Sequence, residues 1–163
     1  MIIKNIFLFG QSGFIGTYLK SLLKNQKDIK IFENPNSIKH KKNLQNNYDI
    51  YWKKIINKCD IIVYLSFNND LNDLRKNESK SFSEMLYPLH SLCQSIKKSK
   101  KKIKIIYLST ASLYANNVKL PANEKSIIEL NNIYEELKYF SEQILVKSNF
   151  KNLNYNILRL SNV

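Results

Sequence analysis

The chain has 163 residues, 44% of them hydrophobic, which suits one domain with a sizeable core and is short for a two-domain enzyme. It contains no run of 18 apolar residues, so no membrane span is expected. Cys59 and Cys93 lack C-x-x-C spacing and His40 and His90 lie far apart, so neither a zinc site nor a Ser-His-Asp triad is a natural reading. The net charge of +13 is carried by lysine, with arginine only at Arg75 and Arg159. A nucleic-acid binder is expected to use arginine for bidentate contacts, so no nucleic-acid partner is expected.

In chain order, the first predicted strand covers 2–9. A chain that opens on a strand, not on a charged-then-apolar leader, is expected in the cytoplasm. The strand runs into Gly10-Gln11-Ser12-Gly13-Phe14-Ile15-Gly16, which holds all three glycines of the chain, and a helix is predicted at 14–24. Glycine can take φ > 0 and lets backbone approach a ligand with no Cβ in the way. The helix that follows points unpaired N–H groups and its positive dipole end at whatever lies over the turn. A dinucleotide pyrophosphate fits there. The second strand, 29–33, ends at Glu33, 17 residues after Gly16. An acidic residue there accepts hydrogen bonds from the adenosine ribose hydroxyls and repels a 2′-phosphate. This favours NAD over NADP, with Lys39 to Lys42 softening the preference.

Segments 34–47 and 67–78, rich in asparagine and lysine, read as surface loops flanking a helix at 51–58 and a strand at 61–66. A helix at 79–98 follows, then Lys97-Lys98-Ser99-Lys100-Lys101-Lys102, a solvated turn favoured by the negative end of the preceding helix. A strand at 103–109, a helix at 127–148 and a strand at 155–160 complete the pattern. The runs 61–66 and 103–109 are nearly continuously apolar, as strands buried on both faces are, and the alternation of strand and helix predicts parallel α/β layers.

Two groups carry the chemistry. The strand at 103–109 releases Ser109-Thr110-Ala111-Ser112 at its carboxyl end, where ligands bind in open α/β sheets. Tyr134 and Lys138, at i and i+4, share a helix face beside the apolar stripe of Ile133, Leu137, Phe140 and Ile144. A nearby ammonium favours the phenolate and so lowers the pKa of a tyrosine. The tuned phenolate can take a proton from a substrate hydroxyl as hydride leaves the same carbon.

Together these segments resemble the extended short-chain dehydrogenase/reductase family, in particular its nucleotide-sugar epimerase/dehydratase branch, over essentially the whole chain. Gly10-x-x-Gly13-Phe14-Ile15-Gly16 is similar to that family's cofactor turn, and Asp60 to Ser66 to its D-x-V-x-H-L-A segment. Ser109 to Ala115 is similar to S-[ST]-x-x-V-Y-G, Tyr134 and Lys138 to Y-x-x-x-K, with Ser141 to Leu145 continuing in the family's manner, and Leu158 to Val163 to R-x-x-N-V.

The resemblance implies a Rossmann-type doubly wound parallel sheet with NAD bound by Gly10, Gly13, Phe14, Ile15, Gly16, Glu33, Leu65, Ser66, Tyr134 and Lys138. Asp49 and Ile50 lie against the adenine in this reading. Thr110, Tyr134 and Lys138 are the implied catalytic set. Thr110 and Ser112 touch a nucleotide-sugar substrate, and Asn162 approaches its diphosphate. The helix carrying Tyr134 is expected to contribute to a homodimer. Ala111 and Ser112 stand where the 4,6-dehydratases of the branch carry Asp-Glu, which leaves epimerisation or keto-sugar reduction. Ser66 and Phe67 replace small residues, Met85 an asparagine, Leu137 a serine and Ala115 a glycine, marking a divergent member. Relatives of this type run to roughly twice this length and grip the sugar with their C-terminal half. The chain is therefore expected to be the cofactor-binding and catalytic portion, without the substrate-binding C-terminal part. The alternative is a non-catalytic module that binds or senses NAD(H).

Overall fold

The computed structural model describes residues 3–32 and 44–161. Its strands follow the apolar runs. β1 (Lys4–Phe9), β2 (Ile29–Phe32), β3 (Ile61–Tyr64), β4 (Ile103–Thr110) and β5 (Leu153–Leu160) pair in the order β2-β1-β3-β4-β5. All four pairings are parallel. The chain leaves β1 towards one side to make β2 and returns to its other side to make β3. A crevice therefore opens between the carboxyl ends of β1 and β3, where such sheets bind ligands.

Helices α1 (Phe14–Lys24), α2 (Leu44–Lys58), α3 (Leu71–Lys76), α4 (Glu78–Lys98) and α5 (Ile133–Lys147) make the connections, with a short 3-10 turn at Ala111–Leu113. One sheet face packs Phe7, Ile62, Tyr64, Ile105 and Tyr107 against Trp52 and Ile56 of α2, Leu89, Leu92 and Ile96 of α4, and Leu145 of α5. Trp52 is fully buried and its indole N–H donates to the Pro88 carbonyl at 2.9 Å, so the largest side chain of this core leaves no polar atom unpaired. Burying a large apolar side chain contributes about 1.5–3 kcal/mol. The opposite face packs Ile6, Leu8 and Val63 under Leu19 and Leu23 of α1. Parallel register sets Tyr64 between Phe9 and Tyr107, an aromatic ladder with ring centroids 4.9 and 5.8 Å apart that runs to the crevice.

Several boundaries depart from expectation. Within the segment 67–78, expected as a loop, α3 forms because Asp70 caps it, accepting from the N–H groups of Asn72 and Asp73 at 2.9 and 3.2 Å, and because Leu74 is buried. Helix α2 starts at Leu44 instead of 51. Helix α5 starts at Ile133 instead of 127, since Asn132 caps it by accepting from Glu135 N–H at 3.0 Å. Residue 128 instead pairs with Tyr114 in an isolated antiparallel bridge. Cys59 and Cys93 are free, buried thiols, and burial pushes them up to about 12 and about 11. Among the described residues, no helix is long and apolar enough to cross a membrane.

Candidate functional site

The glycine turn is built by exclusion of side chains. Gly10 sits at φ 99°, a conformation L side chains rarely adopt, and a Cβ there would lie 2.6 Å from Ser66 N. A Cβ on Gly16 would overlap the Gly10 carbonyl oxygen and come within 2.7 Å of Gln11 Cα. These two glycines let α1 start directly against β1 and β3. Gly13 differs: its Cβ would meet only Gly10 O, at an ordinary 3.5 Å, so the protein's own packing does not require glycine there.

Gly13 is the N-cap of α1, with no side-chain cap and no acidic residue in the first turn. The positive end of an 11-residue helix is thus left open. It faces a cavity of about 610 Å³ lined by Gly10, Gly13, Phe14, Ile15, Gly16, Leu65, Phe67, Asn69, Leu108, Ser109, Thr110, Ser112, Tyr134, Lys138, Leu160 and Ser161. This donor set and the unfilled space over Gly13 fit the pyrophosphate of a dinucleotide.

At the other end of the cavity β4 delivers Thr110. Its Oγ1 lies 2.9 Å from Ser112 Oγ and accepts from Ser112 N–H at 3.2 Å. Tyr134 is half-buried, and burial raises its pKa above the ordinary value while a hydrogen bond to Thr110 pulls it down. Lys138 is 6% exposed, and its Nζ donates to the Leu108 carbonyl at 2.7 Å. Burial pulls this lysine down to about 8, against the opposing pull of Glu142. Its ammonium stands 4.1 Å from the centroid of Phe67, 5.2 Å from Tyr107 and 5.8 Å from Tyr134. The sequence led to a Tyr134 lowered by Lys138. In the structure burial raises it instead, with only the Thr110 hydrogen bond opposing, while the Lys138 ammonium bonds Leu108 O and faces the Phe67 ring. Behind the pair, Arg159 of β5 grips Glu142 bidentately at 2.9 and 2.7 Å and stacks 5.0 Å over Tyr114, locking α5 to the sheet.

The fold thus gathers the glycine turn, Phe14, Ile15, Leu65, Thr110, Ser112, Tyr134 and Lys138 around one cavity. Ser66 borders it, with its backbone N–H donating to Phe9 O at 2.9 Å beside Gly10. Asp49 and Ile50 are not brought there. They lie in α2, where Asp49 accepts from Ser91 of α4 at 2.7 Å, and both line a separate cavity of about 600 Å³ at the far end of α4. Glu33, Asn162 and the Lys39 to Lys42 run lie outside the described residues. The sequence marked Phe67 as a departure without revealing that its ring covers Lys138. The Leu108 carbonyl, a backbone acceptor, left no mark in the sequence at all.

The fold has well-matched solved counterparts. RMD from Pseudomonas aeruginosa complexed with NADPH superposes with a TM-score of 0.81 at 18% identity over 98% of this chain and 53% of that one. UDP-glucose 4-epimerase from Brucella ovis in complex with NAD gives 0.78 at 17%, covering 98% and 52%. dTDP-4-dehydrorhamnose reductase from Bacillus anthracis in complex with NADP gives 0.76 at 17%, covering 98% and 54%. The chain spans about half the length of these structures. A search of curated proteins returns no match. A family model does match, from residue 6 to residue 163, so it takes in the glycine turn, the end of β4 and the Tyr134 helix together: the chain belongs to the NAD dependent epimerase/dehydratase family.

Proposed function

We propose that this chain is the cofactor-binding and catalytic portion of an NAD-dependent nucleotide-sugar epimerase or keto-sugar reductase. The observation that carries this reading is that one cavity joins an uncapped helix N-terminus over a glycine turn to the Thr110, Tyr134 and Lys138 group. The backbone of Gly10 to Gly16 and the N-terminus of α1 would hold the pyrophosphate, and Leu65 and Ser66 would flank the cofactor's path along the crevice. Glu33, at the end of the second strand, is the proposed partner of the adenosine ribose hydroxyls and the basis for NAD over NADP. Asp49 and Ile50 line another cavity, and no role is proposed for them.

A bound nicotinamide ring would supply the hydride acceptor. Tyr134 takes the proton of the sugar hydroxyl, and Thr110 hydrogen-bonds the same oxygen, aided by the Ser112 hydroxyl 2.9 Å away. Lys138 keeps a positive charge beside the developing phenolate. Asn162, just past β5, is the proposed contact to the substrate diphosphate. Ala111 and Ser112 give no carboxylic acid and base after Thr110, so water elimination is not part of the proposal. The names of the matched structures support the substrate class: one acts on UDP-glucose and another on a dTDP-linked keto-sugar.

The test is single-turnover reduction of bound NAD⁺ by a panel of UDP- and dTDP-sugars, followed by the absorbance of the reduced nicotinamide. Reduction by one member supports the proposal. Measured on a form that also carries a substrate-binding part, saturable NAD⁺ binding without reduction by any of them supports a non-catalytic NAD(H)-binding module instead.

A further inference from the structure

We propose that Phe67 is a positioning residue for Lys138, its ring face holding the ammonium against the Leu108 carbonyl and beside Tyr134. The inference rests on the reading of Lys138 as part of the catalytic group. An ammonium has three N–H donors, and one of them is satisfied by Leu108 O at 2.7 Å. A buried charge needs further partners. Glu142 is the carboxylate that acts on it, but both Glu142 oxygens are engaged by Arg159.

Among the described residues, what remains is aromatic. The ring of Phe67 is the nearest of three, at 4.1 Å, and it also meets the Tyr134 ring edge-on, with centroids 5.8 Å apart at 82°. Phe67 therefore touches both members of the pair.

Phe67 is held by its own surroundings. It packs against Leu74, Ile133 and Leu137 beside Met85, and the N–H of the next residue, Asn68, donates to Met85 Sδ at 3.3 Å. The two residues the sequence singled out as departures at 67 and 85 are thus one packed unit, and its product is a cation–π contact on Lys138. Among the described residues, the titratable groups facing Lys138 are Tyr134 and Glu142 from α5 and Tyr107 from β4. Arg159 of β5 reaches it through Glu142.

The test follows the Lys138 side chain by NMR in the whole chain, labelled with ¹³Cε-lysine and with its resonance assigned by its loss in Lys138→Gln. Phe67→Leu keeps apolar bulk and deletes the ring face, whereas Phe67→Trp keeps one. The titration midpoint, near 8 in the parent chain, is expected to fall by about one pH unit in Phe67→Leu and to return to the parent value or above it in Phe67→Trp. An unchanged or higher midpoint in Phe67→Leu means the ring only excludes water and overturns the proposal. Should Phe67→Leu lose its fold, a Phe67→Trp midpoint below the parent overturns the proposal and one at or above the parent supports it. No cofactor or substrate enters the measurement, so its failure is distinct from failure of the dinucleotide reading.

Discussion

At the glycine end of the crevice the geometry is set by main chain, with Gly10 and Gly16 letting α1 close onto β1 and β3 because they carry no side chain. At the hydroxyl end it is set by side chains that converge from distant parts of the chain: Phe67 after β3, Tyr107 and Thr110 on β4, Tyr134 and Lys138 on α5. The difference teaches where tolerance lies. The first end fails by steric overlap and takes the fold with it. The second can lose a functional atom while the fold stands.

The largest effect is expected at Gly16. A Cβ there meets the Gly10 carbonyl and Gln11 backbone, neither of which can yield, so Gly16→Ala should cost at least about 3 kcal/mol in urea unfolding. A substitution that left the midpoint unmoved would break the distinction between the two ends. Next comes Tyr134→Phe, which removes one oxygen from a half-buried ring. In a form that also carries a substrate-binding part, turnover should fall by about 10²–10⁴ while cofactor affinity and stability stay near the parent values. Kinetics and calorimetry on one preparation check both halves of that statement.

Lys138→Met sharpens the comparison through pH. The folded chain holds this lysine near 8, below its ordinary 10.5, so between those values the unfolded chain binds more protons and stability rises with pH. Below about pH 8 the full cost of burying the charge is present. The methionine variant should therefore exceed the parent in stability at pH 7 by about 1–3 kcal/mol, with the gap closing towards pH 10.5. Thermal melts across that range decide it. The smallest stability effect is expected at Gly13, whose Cβ meets only an ordinary contact, so Gly13→Ala should stay within about 1 kcal/mol of the parent.

The same contrast explains what could be read from the sequence. Three glycines confined to seven residues announce a backbone requirement, and Tyr134 and Lys138 four apart announce a shared helix face. Both signals are local: α1 stands at its predicted 14–24, and α5 carries Tyr134 and Lys138 although it starts at Ile133. The cage around Lys138 joins residues 67, 107, 108 and 138, and no local pattern encodes that convergence. Helix α3 escaped because its six residues offer Leu71 and Leu74 as their only apolar positions and depend on an Asp70 cap. Asp49 and Ile50 were assigned through resemblance alone, and they lie within α2, where Asp49 accepts from Ser91 of α4.

The central claim is that the space over Gly13 belongs to a nicotinamide dinucleotide. Calorimetric titration of the parent chain and of Gly13→Ala with NAD⁺, then NADP⁺, tests it most directly. The account predicts saturable binding to the parent that favours NAD⁺, weakened by about tenfold or more in an equally stable Gly13→Ala. No binding to the parent, or equal binding to both proteins, would contradict it.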